Sequence, residues 1–501
     1  MNQSTRPFSF ANPSFLPAVL AAAMLIAPFR SASAEPASSA ETERAARVFS
    51  ATGIGGGVIV HLGATDGKFT AALKANDHCC VQGLTTDPAA CDAGRQYIQS
   101  RGLYGAVSLA PYDGKHLPYV DNLAALVVVD DPAVPMAEVM RVLRPLGAAV
   151  RNRAGQNEVT VKPWPEEYDQ WEQHYHGPDN NAVAHDTAVG PPRRYQWIGF
   201  PQWQRSHHIM PSMNCLLASQ SRLYTVEDVA SAEHPSLPGK YALICRDAFS
   251  GIELWRVPFP DWHSTLIYDK NMPVQLQRRC AAIGDTVYCT PGYFAPVTAL
   301  DAATGAVKSK FEGTENTTEF VYDRGTLYVV TGEPTYDRGE GSDALGTSRF
   351  DEDLYGPRVI TFRNPRNTIA AIDAASGRTL WQKSGQDTAG YMGATLGVTG
   401  DCVVLYTEAG VTAWDCATGK TRWSTPAPVS FFNASIGTAI SLVLSEKAAF
   451  MADGKQLRAF RLADGKELWS VPATFNHHKA ADVFVTGGLV WVKACNASAC
   501  V

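Results

Sequence analysis

Short stretches in which apolar and polar residues alternate recur through the second half of the chain, and many end in the same turn. The turn reads Asp-Ala-x-Ser/Thr-Gly, and a Trp follows it on the outgoing side, as Trp255 does. One copy has Ser309 in place of this Trp, and the last copy lacks the leading Asp. The turn glycines are Gly251, Gly305, Gly377, Gly419 and Gly465.

This phrase is typical of a tight β-hairpin, because the Asp side chain can bond the turn backbone and the Gly can adopt the positive φ that closes it. The Trp then lies on the outgoing strand, where its ring can pack against the next unit. The turns recur at roughly 40–50 residues, the period of a four-stranded propeller blade, with one longer interval for an insertion at 333–363. We therefore predict an all-β propeller over residues 212–501.

The alternation is enough for about five full blades and the opening of a sixth, whereas closed propellers commonly need more. The sequence ends inside a strand-and-turn pattern at Cys500 and Val501. We expect a propeller that is incomplete at the C-terminus, and therefore a fragment; a short ring is the alternative.

A different pattern fills residues 46–161, where apolar strands alternate with helical stretches. Strands are predicted at 57–62, 79–84, 106–109, 123–129 and from 148, and helices at 68–75, 88–99 and 135–143. This alternation predicts a parallel sheet with helices on both faces, which is a Rossmann-like α/β domain. The turn at 63–67 opens a helix whose free N–H groups favour a polar or anionic ligand.

Several motifs of this domain resemble class I S-adenosylmethionine (SAM) methyltransferases. Asp113, followed by Leu117 and Pro118, matches the adenine contact of that family, and 136–145 matches its helix and turn after the fourth strand. His61 and Thr85 stand where the family has acidic residues, so Asp87 would replace the ribose acid. The resemblance implies SAM as a cofactor, held by Gly63, Thr65, Asp66, Gly67, Asp87 and Asp113. No residue is assigned a catalytic role.

The N-terminus is typical of a secretory signal peptide. Arg6 precedes an apolar run at 15–29, and Ala32-Ser33-Ala34 is a small-residue cleavage site. We predict a signal peptide at 1–34, a spacer at 35–45 and a periplasmic or cell-envelope location; an uncleaved anchor is the alternative. No transmembrane span is expected after cleavage. The formal net charge of −6 gives no indication of a nucleic-acid partner.

Export would allow some of the 11 cysteines to form disulfides. Cys280 and Cys289 flank one predicted hairpin, and Cys402 and Cys416 flank another. Cross-strand disulfides and free buried thiols are both open at these pairs. No paired C-x-x-C motifs occur, so no zinc site is predicted.

The repeat resembles the propeller of pyrroloquinoline-quinone (PQQ) enzymes and of non-catalytic propellers built like them. In the quinoprotein dehydrogenases a vicinal Cys pair faces the quinone. The vicinal pair of this chain, Cys79 and Cys80, lies in the α/β domain instead, and no matching calcium ligands are found. PQQ is therefore not expected as a cofactor.

An aromatic and histidine-rich joint at 162–211 connects the two parts. It resembles the joint of bacterial exported proteins that fuse a methyltransferase-like domain to a PQQ-like propeller, and this two-domain resemblance covers nearly the whole mature chain. Arg205, His207 and His208 precede the first blade, where they would line a polar ligand site or bond the domains together. His174, His176 and His185 are suitable ligand types, but their spacing fixes no geometry, and no metal is predicted.

Three functions fit these patterns. The first is a binding or scaffold protein whose propeller presents loops to a protein or polysaccharide partner. The second is an active SAM-dependent methyltransferase with the propeller as a targeting module, and the third is a PQQ-dependent oxidoreductase. The first is our prediction, because it accounts for export, the altered SAM loop and the missing quinone residues.

Overall fold

The structure is a computed structural model. It describes residues 39–153, 156–188, 190–191, 194–199, 212–231, 233, 239–260, 262, 274–332, 336–337, 359–360, 367–407, 409–428, 440–453, 455–473, 481–494 and 497–500.

The first domain is a six-stranded sheet with helices packed on it. Its helices are α1 (Ser39–Thr52), α2 (Lys68–Ala72), α3 (Pro88–Ser100) and α4 (Met136–Val142). Its strands are β1 (Gly57–Leu62), β2 (Cys79–Thr85), β3 (Val107–Pro111), β4 (Ala124–Val129), β5 (Leu143–Arg153) and β6 (Gln156–Val161). The strand order is β3-β2-β1-β4-β5-β6, with β1 to β5 parallel and β6 antiparallel to β5. The predicted α/β fold is confirmed.

Apolar clusters form on both faces of this sheet, and every residue of β4 is buried between them. Such continuous burial is expected for the central strand of a covered parallel sheet. Two boundaries differ from the sequence prediction by five residues or more. α1 begins within the predicted spacer, because Ala45 and Val48 pack into one cluster. β5 begins at Leu143, since the chain leaves α4 directly into the sheet.

The second domain consists of small antiparallel sheets. The first sheet is β7 (Met213–Ser219), β8 (Arg222–Asp228), β9 (Tyr241–Asp247) and β10 (Glu253–Phe259). The second is β11 (Cys280–Ile283), β12 (Thr286–Cys289), β13 (Thr298–Asp301) and β14 (Val307–Lys310). The third is β15 (Thr317–Asp323) and β16 (Thr326–Thr331) with β19 (Thr368–Asp373) and β20 (Thr379–Lys383), and a small pair, β17 (Tyr336–Asp337) and β18 (Val359–Ile360), lies between them in sequence.

The remaining sheets continue the series. The fourth is β21 (Gly397–Thr399), β22 (Cys402–Thr407), β23 (Gly410–Asp415) and β24 (Thr421–Thr425). The fifth is β25 (Ser441–Leu444), β26 (Ala448–Ala452), β27 (Gln456–Arg461) and β28 (Glu467–Pro472), and the sixth is β29 (Val483–Thr486), β30 (Leu489–Ala494) and β31 (Ala497–Cys500). Within the described residues these are five four-stranded sheets and one three-stranded sheet, as predicted.

The six sheets follow one another around a common axis. The first strand of each sheet contacts the first strand of the next, in the order β7, β11, β15, β21, β25 and β29. Inner strands that meet in sequence order are the arrangement of a β-propeller. The all-β prediction for the second domain is therefore confirmed.

The repeated Trp joins neighbouring sheets. Trp255 Nε1 donates to the carbonyl of Ala302 at 3.1 Å, in the turn of the next sheet. A Cβ added at Gly305 of that turn would lie 2.7 Å from the Trp255 ring, so only Gly allows this contact. Trp381 joins the third sheet to the fourth in the same way, and Trp423 joins the fourth to the fifth. The predicted packing of these rings is confirmed.

Candidate functional site

The crevice at the carboxyl ends of β1, β2 and β4 is the first candidate site, because open α/β sheets bind ligands there. The predicted cofactor contacts do lie along this edge: Gly63 to Gly67 follow β1, Asp87 follows β2 and Asp113 follows β3. Thr65 and Asp66 are exposed, and Asp66 Oδ1 accepts from the backbone N–H of Lys68 at 3.0 Å. The structure therefore places the predicted residues on one edge of the sheet.

Both loop glycines are required by close packing of the protein itself. Gly63 has φ +85°, and an added Cβ would lie 2.9 Å from the backbone nitrogen of Asp131. Gly67 has φ +77°, and its Cβ would lie 2.8 Å from the carbonyl oxygen of Gly94 in α3. The glycines of this turn thus have a structural reason that is independent of any cofactor.

The two candidate carboxylates bond to the protein's own groups. Asp87 caps α3, and its Oδ1 accepts from the backbone N–H of Ala89 at 2.9 Å. Asp113 accepts from the backbone N–H groups of Lys115 and His116, and its Oδ2 lies 2.8 Å from His116 Nδ1. These bonds, His116 first, hold the pKa of Asp113 well below its ordinary value. Both groups have defined local roles.

A charged network that the sequence analysis missed lies in the same crevice. Arg44 of α1 donates to both oxygens of Asp130, at 2.6 and 2.8 Å, and its guanidinium lies 3.8 Å from the Phe69 ring centroid. His61 is 4% exposed; its Nε2 lies 3.0 Å from Asp130 and its Nδ1 lies 2.8 Å from Thr70. Burial disfavours the ionised form of Asp130, but the bonds from His61 and Arg44 outweigh burial and lower its pKa.

The neighbouring carboxylate is bonded as well. Tyr112 donates to Asp131 Oδ2 at 2.7 Å, and burial, together with this bond, raises the pKa of Tyr112 above its ordinary value. Asp130 and Asp131 follow the most apolar strand of the sheet, so their position beyond β4 could have been recognised from the sequence. Arg44 could not, because α1 lies in the stretch predicted as a spacer.

These residues fit SAM poorly. The position of the ribose acid is taken by Thr85, which is buried and accepts from the backbone N–H of Asp87 at 3.2 Å. The acidic position before the loop is His61, whose two ring nitrogens are already bonded. Along this edge Thr65, Asp66, Asp87 and Asp113 are exposed.

The propeller axis is the second candidate site, because propellers enclose a central channel. Here residues 171–181 of the joint, which we call the axial segment, bond to the inner strands. Its early residues reach the first three sheets, through the pairs Trp171–Ala218, Gln173–Ala281 and Gln173–Tyr322. Its late residues reach the last three sheets, through Pro178–Val398, Asp179–Leu444 and Asn181–Val485.

A buried ion pair lies beside this segment. Arg278 Nε is 2.7 Å from Glu319 Oε2, and the Glu319 side chain is 0% exposed. Tyr391 donates to Glu319 Oε1 at 2.7 Å, and Arg278 Nη1 donates to Asn180 Oδ1 at 2.7 Å. Asn180 also donates to two carbonyls, of Leu396 and Leu442. The polar groups at the axis are thus bonded to one another and to the axial segment.

Two histidines of the joint, His176 and His185, have ring centroids 5.3 Å apart, whereas the His174 ring packs against Tyr175. Burial, with a contribution from nearby Arg278, lowers the pKa of His174 to about 3, which keeps its ring neutral. His176 Nε2 lies 2.7 Å from Asp169, whose Oδ2 also accepts from the backbone N–H of His185 at 2.6 Å. Within the described ranges no three His, Cys, Asp or Glu side chains are placed to hold a metal. Arg205, His207 and His208 lie outside the described residues.

A cavity of about 290 Å³ opens next to the axial segment. Its lining combines His174, Tyr175 and Asn180 with Ser441, Asp482 and Phe484 of the fifth and sixth sheets. Ser441 donates to the carbonyl of Ala481, and Asn180 is bonded as described above. The cavity is large enough for a small ligand, but much of its polar lining already has partners.

The two domains meet through a buried ion pair. Arg144 at the start of β5 lies 2.5 Å from Asp247, and the Asp247 side chain is 0% exposed. Asp247 is the leading Asp of the repeated turn in the first sheet. Ser221 donates to the carbonyl of Pro145 at 2.6 Å, and His78 Nδ1 lies 2.7 Å from the carbonyl oxygen of Glu253. The first propeller sheet is thereby bonded to residues at the amino ends of β2 and β5.

The cysteine predictions can also be placed. Cys280 and Cys289 are opposite each other in β11 and β12. Cys402 is opposite Asp415, not Cys416, so these two cysteines are out of register by one residue. Cys402 packs into the cluster between the fourth and fifth sheets and Cys416 against the cluster between the third and fourth, so a Cys402–Cys416 disulfide does not fit this fold.

Comparison with known proteins separates the same two parts. The family model described as outer membrane protein assembly factor BamB matches residues 365–496. The crystal structure of BamB from Moraxella catarrhalis is similar over 58% of this chain and 79% of its own, with 12% identity and a TM-score of 0.31. Comparison with curated protein sequences gives no match.

Methyltransferase structures resemble the first part. A putative SAM-dependent methyltransferase from Methanococcus maripaludis has 20% identity over 22% of this chain and 54% of its own, with a TM-score of 0.21. Geranyl diphosphate C-methyltransferase from Streptomyces coelicolor has 18% identity over 22% of this chain and 45% of its own, also with a TM-score of 0.21. The chain therefore spans about half the length of these two enzymes. No helix in the described ranges is long and apolar enough to cross a membrane.

Proposed function

We propose that this protein is an exported binding or scaffold protein of the periplasm or cell envelope. Its propeller would present loops to a protein or polysaccharide partner, and its α/β domain would act as a structural support without methyl transfer. The observation that carries this proposal is the pairing of Asp130 with Arg44 and His61. These side chains bond to one another, so they are not free to hold a cofactor in the crevice.

Two further observations support the proposal. The buried pair between Arg144 and Asp247 connects the domains, as a rigid support requires. The N-terminal apolar run and small-residue cleavage site support export, and the family model that matches residues 365–496 describes an outer membrane protein assembly factor.

The alternative is an active SAM-dependent methyltransferase, favoured by the exposed loop residues Thr65 and Asp66 at the end of β1. Titration of the full chain with SAM in a calorimeter separates the two. We expect no saturable heat up to about 1 mM ligand, which corresponds to a binding free energy weaker than about −4 kcal/mol. Saturable binding in the micromolar range that is lost in Asp66→Ala, but kept in the remote control Asp464→Ala, would establish the alternative.

The binding role is tested with purified ligands. We expect the full chain to bind an unfolded outer-membrane β-barrel protein or a purified envelope polysaccharide in a surface-based assay. Failure to bind either class would count against the proposed role. Sequencing of the mature N-terminus tests export independently, and the expected first residue is Glu35.

A further inference from the structure

Three cysteines converge in the apolar core between the first two propeller sheets. Cys215 on β7, Cys280 on β11 and Cys289 on β12 are all buried in one cluster, at 5%, 3% and 0% exposure. Cys215 lies near Cys280 in this cluster, and Cys280 faces Cys289 across the hairpin. Cys280 thus has two neighbouring thiols, and the backbone geometry decides between them.

The hydrogen bonds of the hairpin identify the type of pairing at Cys280 and Cys289. Thr290 N–H donates to the carbonyl of Arg279, so Arg279 and Thr290 form a hydrogen-bonded pair. Bonded and non-bonded pairs alternate along an antiparallel ladder, so the next pair, Cys280 and Cys289, is non-bonded. Ala282 N–H agrees with this alternation, because it points away from β12 and donates to Glu172 of the joint.

Non-bonded pairs bring the Cα atoms to roughly 4.5 Å and the side chains close together, which lies in the range of disulfides. We propose that Cys280 and Cys289 form a disulfide when the chain folds in an oxidising compartment, and that Cys215 remains a thiol beside it. The inference does not depend on the partner proposed above; it needs only export. The bond would hold the hairpin whose first strand receives the joint, through the Gln173–Ala281 bridge.

The reaction is a thiol–disulfide exchange with a donor such as oxidised glutathione. One cysteine thiolate attacks the donor and releases one glutathione; the second then attacks the mixed disulfide and releases the other. The two thiol protons end on the two glutathiones, and the two electrons reduce the donor. The neighbouring Cys215 thiol and burial raise the pKa of Cys280, and burial raises that of Cys289. Thiolates are therefore scarce in the folded core, and the bond must form before the sheets close.

The test uses the full chain refolded with oxidised glutathione and digested without reduction. An Asp-specific protease that cuts at Asp285 separates Cys280 from Cys289, so a disulfide is seen as two peptides that reductant releases. We expect this linked pair in the wild-type protein and in the control Cys245→Ser, a buried thiol of the same cluster. Cys289→Ser should lose the link and regain one alkylatable thiol from Cys280.

The proposal is overturned by either of two results: a link between Cys215 and Cys280, or two unlinked peptides. Because both are read from the wild-type protein, a variant that fails to fold does not weaken the test. Reductant should also lower the midpoint of thermal unfolding by several degrees in the wild-type protein but not in Cys289→Ser. The pair Cys402 and Cys416 should stay unlinked throughout.

Discussion

The crevice of the α/β domain and the axis of the propeller are both places where such folds bind ligands. In this protein, charged side chains at both places pair with other side chains of the same chain. In the crevice, Asp130 pairs with Arg44 and with the buried His61, and the Asp130 side chain is 24% exposed. At the axis, Arg278 and Glu319 pair in the interior, with side chains 4% and 0% exposed. The two networks have similar chemistry but very different access to water.

The difference in solvent access determines what each network contributes. A buried ion pair with one partner removed leaves an uncompensated charge, whereas an exposed charge that loses its partner can be hydrated again. We therefore expect the axis to be rigid and structural, and the crevice to tolerate change. This comparison leads to four predictions, in order of decreasing effect.

Removing the buried carboxylate at the axis should have the largest effect. Glu319→Ala leaves Arg278 without its counter-ion and Tyr391 without its acceptor, so we expect the propeller to lose about 3–5 kcal/mol of unfolding free energy. Denaturant unfolding followed by Trp fluorescence measures this loss. Asp464→Ala, which removes an exposed partner of Arg461, is the matched control and should change stability by less than about 1 kcal/mol.

Removing the amide of the axial segment should have the next largest effect. Asn180→Ala removes the acceptor of Arg278 Nη1 and the amide that donates to the carbonyls of Leu396 and Leu442, while Arg278 keeps its bonds to Glu319 and Leu396. Each buried group left unsatisfied costs about 1–3 kcal/mol unless water replaces the bond. We expect a total loss of about 2–3 kcal/mol. Asn181→Ala, which breaks only the bonds to Val485, should cost less. Equal losses for both variants would contradict the larger cost expected at the buried residue Asn180.

The same kind of change in the crevice should cost less. Asp130→Asn removes the charge that pairs with Arg44 and His61, but water can reach the site, so we expect a loss of about 1 kcal/mol. Because the folded pKa of Asp130 is lowered, its contribution is present above the unfolded pKa of about 4 and is lost as pH falls below it. Unfolding measured at pH 7 and pH 3 should show a smaller difference between the variant and the wild type at pH 3 than at pH 7.

At pH 7 the smallest effect is expected from His174, because its ring is neutral in the folded protein. Its folded pKa of about 3 lies below the unfolded value of about 6.5, so the unfolded chain binds more protons between these values. Stability should therefore fall as pH drops from 7 to 5, and His174→Gln should show a weaker pH dependence over this interval. The surface residue His116 provides the control, because His116→Gln should leave the dependence through His174 in place. An unchanged slope in His174→Gln would contradict the burial of this ring.

Much of the fold could be predicted because its information is local. The Asp, Gly and Trp of each turn specify a hairpin and the contact that joins it to the next sheet, and the strands between them alternate. The apolar strands of the α/β domain are equally local. One such contact does not follow from the repeat. Trp197 Nε1 donates to the carbonyl of Ala248 in the first turn at 3.0 Å, but Trp197 lies in the joint, outside the repeated turns.

The candidate site was harder to predict than the fold. The sequence indicated the right edge of the sheet through Gly63, Asp66 and Asp87, but each of these residues also has a local structural role. The pairing of Arg44 with Asp130 joins residues far apart in the chain, and no periodicity connects them. The strand register was also needed to separate the two predicted cysteine pairs. It places Cys289 opposite Cys280, but it places Asp415, not Cys416, opposite Cys402.

The sequence by itself determined the order of elements, the two domain types and the repeated inter-sheet contact, because each depends on residues that are neighbours in the chain. Only the tertiary structure decided that residues 171–181 would occupy the axis and that the crevice charges would pair with one another. Those outcomes depend on which distant groups become buried together. A buried polar group must find whatever partner the packed fold brings to it.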